Sequence, residues 1–145
     1  MTQIISTRLL EIVEALPLKD GMRILEVGCG PGSMAREISK HIGNGHILAI
    51  DRSAKAIQQA IAGSQNELST GRLSFRQISI EKFELGPNEE KFDIAVAVRV
   101  GALDGRHQEI EKKALINIAK SLTKEGRLFI DGGKPLKEIK LNEYR

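Results

Sequence analysis

Ile24-Leu25-Glu26-Val27-Gly28-Cys29-Gly30-Pro31-Gly32 is the stretch on which the fold turns. Met22 to Val27 is short, apolar and follows the Lys19-Asp20-Gly21 turn, so it reads as a buried strand. Alternating glycines at 28, 30 and 32 then allow a sharp turn and let a ligand approach the main chain without side-chain obstruction. Ser33 is placed to cap a following helix with Met34, Ala35, Ile38 and Ile42 inward, ended by Gly43-Asn44-Gly45. A strand over 47–50 and a helix capped by Ser53, with Ala56, Ile57, Ala60 and Ile61, complete a βαβα unit.

Outward from this unit the same alternation continues. Ile5, Leu9, Ile12, Val13 and Leu16 form one helix face before Pro17. Strands are expected over 73–78, 92–98 and 127–130, with a helical stripe Ile110, Ala114, Leu115, Ile118, Leu122 and a turn at Lys124-Glu125-Gly126. Ile94 to Val98 is apolar throughout, as a parallel strand covered by helices on both faces must be. The expected class is α/β, with a doubly wound, mostly parallel sheet.

Composition fixes the scale. A chain of 145 residues is expected to form a single domain over 1–145. With 28% charged residues and a mean hydropathy of −0.20, no membrane-spanning segment is expected. No signal peptide is legible, so the cytoplasm is the expected compartment. Cys29 is the one cysteine, which excludes an intrachain disulfide and a cysteine-rich metal site. The net charge of +3 comes from mixed charges, and the absence of Trp removes a common base-stacking platform. Nucleic acid is therefore not a favoured partner.

A dinucleotide loop would place Gly or Ala where this chain has Ser33, and an ionised Glu26 would repel a pyrophosphate. The same charge favours a cation, so a ligand with an ammonium, a sulfonium and a ribose suits the loop better than a nicotinamide dinucleotide. Asp51, about 20 residues beyond the loop, stands where an acidic ribose ligand stands in the dinucleotide fold. A carboxylate offers two acceptor oxygens to two vicinal hydroxyls.

The stretch from Ile24 to Gly32 closely resembles motif I of the class I S-adenosylmethionine-dependent methyltransferases, and Asp51 occupies the place of their acidic ribose ligand. The resemblance runs from about residue 1 to 131 and implies a Rossmann-like methyltransferase fold that takes S-adenosyl-L-methionine as cofactor. It implies cofactor contacts from Glu26, Gly28, Cys29, Gly30, Gly32, Asp51 and Arg52. Where the family carries an acidic residue for adenine, this chain has Ser79 and Ile80, with Glu81 as another acceptor. Gly126 to Ile130 resembles the family's fifth strand.

Methyl transfer from a sulfonium requires an aligned nucleophile and exclusion of water, and no metal is needed. The family places substrate-facing groups after the fourth strand, which makes Arg99, Asp104 and His107 the catalytic candidates, with Arg99 also able to line the cofactor cleft. No Asn/Asp-Pro-Pro-aromatic motif stands there, which disfavours adenine or glutamine side chains as acceptors. The acceptor is unidentified, with a small molecule favoured.

The chain ends at Arg145, so the sheet is expected to lack the family's usual last two strands. Leu136, Ile139 and Leu141 can form a brief edge strand or an amphipathic turn, and the fifth-strand edge is expected to be covered by this tail or by another subunit, as in a homodimer. The alternative function is a catalytically idle or partner-dependent S-adenosylmethionine-binding subunit.

Overall fold

The computed structural model describes residues 5–100, 103 and 108–145. They form α1 (Thr7–Ala15), β1 (Arg23–Val27), α2 (Ser33–Ser39), β2 (His46–Asp51), α3 (Ala54–Gly63), α4 (Gln65–Ser69), β3 (Leu73–Gln77), β4 (Phe92–Ala97), α5 (Gln108–Ser121), β5 (Leu122–Asp131) and β6 (Leu136–Ile139). A short 3-10 turn, Ile80–Lys82, follows β3, and another, Asn142–Tyr144, follows β6.

The sheet has six strands in the order β3-β2-β1-β4-β5-β6. The first five are parallel, and β6 runs antiparallel to β5. This is the expected doubly wound α/β architecture. The order reverses between β1 and β4, so the crevice at the carboxyl ends of these strands is where such a sheet binds ligands.

Two cores lie on the two faces. One buries Ile24 and Ile47 beneath Ile12, Val13, Ile38 and Ile57, while the other buries Leu25, Val27 and Leu48 against Phe83, Ala114, Leu115 and Ile118. Alternation along β1 therefore sends Ile24 and Glu26 to the first face and Leu25 and Val27 to the second.

Ser6 caps α1 through a hydrogen bond from the Leu9 amide at 3.2 Å, and Ser53 caps α3 through the Ala56 amide at 3.1 Å, as expected for the latter. Ser33 does not cap α2. The cap position has a left-handed backbone, φ 89°, and Gly32 takes it, leaving Ser33 as the first helical residue. Nor does α2 extend to Ile42: it stops at Ser39, and Ile42 is buried from the following turn.

Lys124-Glu125-Gly126 is also not a turn between elements. It lies inside β5, where the register to β4 jumps from the pair Phe92 and Leu122 to the pair Ile94 and Arg127. The extra residues leave carbonyls out of the ladder, and Arg145 satisfies them, donating to the carbonyls of Thr123, Lys124 and Gly126 at 3.1, 2.8 and 2.6 Å.

The tail forms the edge strand that was one of its two expected forms. Leu136 to Ile139 pairs with Leu128 to Asp131, so the same chain covers the β5 edge. Leu141, 3% exposed, anchors the segment in the second core. Leu141→Ala is expected to lower the unfolding free energy by about 2 to 5 kcal/mol in urea denaturation. A loss below about 1 kcal/mol, the scale of a surface substitution, would show that the tail does not pack there.

Candidate functional site

The carboxyl ends of β1, β2 and β4 open into a cleft of about 730 Å³. Gly28 and Gly30 form its floor beside Val27 and Ile50, and Asp51 and Arg52 stand at the end of β2. Ile78, Ser79, Ile80 and Glu81 supply a second wall. Val98, Arg99, Val100 and the half-exposed Ile110 supply a third.

Backbone hydrogen bonds tie the glycine loop to β2. The amides of Gly28 and Cys29 both donate to the Ile50 carbonyl, at 2.8 and 2.9 Å. Asp51 does more: its Oδ2 accepts from the Gly30 amide and its Oδ1 from the Ser53 amide, both at 2.9 Å. A carboxylate has about four acceptor positions, so two such bonds leave roughly half its capacity for ligand hydroxyls. Gly30 has φ 54°, and a Cβ built there meets nothing within 4 Å. That open space fits a ligand passing against the loop backbone. At Gly28 an added Cβ would instead lie 2.8 Å from Val100 Cγ2, so the wall after β4 reaches across to the loop.

The second wall is fixed from below. Asp51 accepts from the Ile78 amide through its carbonyl at 3.0 Å, which sets where the chain leaves β3. Buried Asn117 of α5 then donates from Nδ2 to the Ile80 carbonyl at 2.9 Å, holding the 3-10 turn. Ser79 and Ile80 face the cleft for this reason.

Of the cofactor contacts implied by the sequence, Gly28, Gly30, Asp51, Arg52, Ser79, Ile80 and Arg99 line the cleft together. Glu26, Cys29 and Gly32 do not line it; the first two are buried behind the loop. Asp104 and His107 lie outside the described residues. His41 pairs with Glu37, and His46 contacts Gly71 and Ser74, both remote from the lining. Sequence reasoning missed Val98, Val100, Ile110 and Asn117. Val98 and Val100 could have been found as the residues that leave a strand at the switch point, whereas Asn117 gives no signal within an ordinary helix pattern.

Two buried groups have displaced titrations. Burial, reinforced by the charge of Asp51 and opposed by Arg36, pushes the Glu26 carboxyl up to about 8. Burial thus favours the neutral form of Glu26, whose Oε1 lacks a hydrogen-bond partner, and weakens the repulsion expected from an ionised carboxylate. Burial also pushes the Cys29 thiol far up, helped by Glu26 and Asp51. A thiol held that way is not a nucleophile.

The family model described as "Methyltransferase domain" matches residues 18–142. The chain belongs to the methyltransferase domain family. Among curated relatives, the domain is 31% identical over 134 residues to an O-methyltransferase of Aspergillus nomiae, covering 89% of this chain and 56% of that protein. It is 32% identical over 104 residues to a sterol 24-C-methyltransferase of Gibberella zeae, covering 68% of this chain and 26% of that one. The methyltransferase domain thus spans about half or less of the length of the curated relatives it matches. Its fold is shared with a methyltransferase of Thiobacillus denitrificans solved with S-adenosyl-L-homocysteine, at a TM-score of 0.68 and 23% identity over 88% of this chain and 48% of that one. It is also similar to the [4+2]-cyclase SpnF, at a TM-score of 0.70 and 25% identity over 85% of this chain and 43% of that one. Among the described residues no helix is long and apolar enough to cross a membrane.

The buried carboxyl generates a test of its own. Between pH 4.5, the ordinary value for Glu, and about 8, the folded methyltransferase domain holds a proton on Glu26 that the unfolded chain has lost. This contribution to stability is fully present below 4.5 and is lost as pH rises through about 8. Glu26→Gln should remove that loss, so the variant gains stability relative to wild type between pH 5.5 and 8.5 in denaturant titrations. Parallel pH profiles for the two proteins would contradict the assignment.

Proposed function

We propose that the chain is a methyltransferase domain that uses S-adenosyl-L-methionine and passes its methyl group to a small-molecule acceptor, acting in the cytoplasm. The observation that carries this reading is the Asp51 carboxylate, fixed at the cleft by two backbone amides with acceptor capacity to spare, beside the open Gly30 backbone. A ribose with two vicinal hydroxyls matches that carboxylate, since hydrogen bonds to charged groups are roughly twice as strong as neutral ones. The cofactor supplies an electrophilic methyl group on a sulfonium when bound.

The rest of the chemistry falls to this chain's own residues. Gly30 leaves room against the loop for the aminoacyl portion of the cofactor, and the Ser79 hydroxyl with Glu81 offers acceptors to an adenine amino group. Ile80 and Val27 give that base apolar contact. Val98, Val100 and Ile110 exclude water on the side where a methyl acceptor approaches, which raises the effective concentration of an aligned nucleophile. Arg99, exposed at the same mouth, suits an acceptor that carries an anionic group. Glu26 contributes from behind the loop: a cationic ligand overhead lowers its pKa, so binding at pH 7 releases part of a proton from this carboxyl.

The small-molecule acceptor is favoured by the cleft's apolar third wall and by the O-methyltransferase and sterol methyltransferase relatives. The alternative, an idle subunit waiting for a partner, has less in its favour because the β5 edge that a partner would cover is occupied by β6.

Two measurements test the proposal. Asp51→Ala should weaken S-adenosyl-L-homocysteine binding by about 10- to 100-fold, the loss of one charged hydrogen-bonding group. Unchanged affinity would remove Asp51 from the site. With methyl-labelled S-adenosyl-L-methionine and a small-molecule extract, label should move to an acceptor fraction in the presence of the protein. Cofactor binding without any transfer would favour the idle reading.

A further inference from the structure

Arg99 is the one non-glycine residue with a positive φ, 58°, among the described residues. Arginine has no intrinsic preference for this left-handed conformation, which persists only where neighbouring contacts hold it. The holding contact comes from the far end of β5. Asp131 Oδ1 accepts a hydrogen bond from the Arg99 amide at 3.1 Å, and Asp131 Oδ2 pairs with Arg8 Nη2 of α1 at 2.9 Å. One carboxylate thus joins the turn after β4, the end of β5 and the first helix.

The turn matters because of what it carries. Val98, Arg99 and Val100 line the cleft, and Val100 Cγ2 stands over Gly28, within 2.8 Å of where a Cβ there would lie. If the Arg99 backbone relaxed to an ordinary negative φ, Val100 would leave the loop and the third wall would open.

We propose that Asp131 is a positioning residue: it holds Arg99 in the left-handed conformation and so sets the wall of the cleft on the acceptor side. This rests on the reading of the cleft as the S-adenosyl-L-methionine site for its binding readout, but not for its backbone readout. The neutral alternative is an ordinary surface ion pair between Arg8 and Asp131, whose side chains are 51% and 22% exposed.

The two are separated by variants of the full chain. Asp131→Ala removes both contacts, Asp131→Asn keeps an acceptor for the Arg99 amide while losing the charge, and Arg8→Ala removes the ion pair alone. Arg99→Gly supplies a residue that adopts the left-handed backbone unaided. Binding of S-adenosyl-L-homocysteine is followed by calorimetry, and exchange of the Arg99 amide hydrogen is followed by NMR without ligand. Asp131→Ala should weaken binding about tenfold and speed Arg99 exchange by a similar factor, as loss of a hydrogen bond to a charged group implies. Asp131→Asn should stay within about threefold of wild type, because a neutral acceptor retains roughly half of that bond. Arg8→Ala should do the same, the exposed pair contributing little. In the Arg99→Gly background, Asp131→Ala should have no further effect on binding.

An equal loss from Asp131→Ala in both backgrounds would overturn the proposal, since a general structural role does not depend on the Arg99 backbone. So would unchanged Arg99 exchange in Asp131→Ala. If wild type fails to bind S-adenosyl-L-homocysteine while exchange responds as expected, the cofactor reading fails and the positioning role stands.

Discussion

The Asp51 carboxylate is the constraint on which the site depends. Its two oxygens hold the Gly30 and Ser53 amides, and its carbonyl receives the Ile78 amide, so one residue fixes the glycine loop, the start of α3 and the exit of β3. Each of these segments is a backbone with unmet hydrogen-bonding groups at a strand or helix end. Satisfying them at a single position brings the glycine loop, the start of α3 and the exit of β3 into register. Preorganisation of this kind reduces the ordering that binding would otherwise require.

A second carboxylate, Asp131, does the corresponding work on the opposite side of the switch point. The two differ in what they order: Asp51 holds a glycine, Gly30, that accepts left-handed geometry freely, whereas Asp131 holds an arginine that does not. Glu26 is buried behind the glycine loop, and its ionisation is opposed by desolvation and by Asp51. The cleft thus combines a carboxylate at its lip with a carboxyl behind its floor whose burial favours the protonated form. A bound cation would shift that balance toward the charged form of Glu26.

Much of this was legible in the sequence because the relevant signals are local. The stretch from Ile24 to Gly32 combines an apolar strand with glycines that regular structure cannot use, and the wholly apolar run from Ile94 to Val98 requires cover on both faces. Asp51 follows from its place at the end of the second strand. What escaped depends on tertiary geometry. Gly32 displaces Ser33 from the helix cap because the loop arrives there left-handed, and Lys124 to Gly126 stays within β5 because Arg145, distant in sequence, caps its carbonyls. The neutrality of Glu26 follows from depth of burial, which residue spacing does not encode. Asn117 acts through one contact, and Asp131 through two, with segments far along the chain.

The central claim is that this cleft is built for S-adenosyl-L-methionine rather than for a nicotinamide dinucleotide. Calorimetric titration of the purified chain with S-adenosyl-L-homocysteine and, separately, with NAD tests it most directly. The account predicts saturable binding of S-adenosyl-L-homocysteine and no binding of NAD at matched concentrations. Binding of NAD with equal or greater affinity would contradict it.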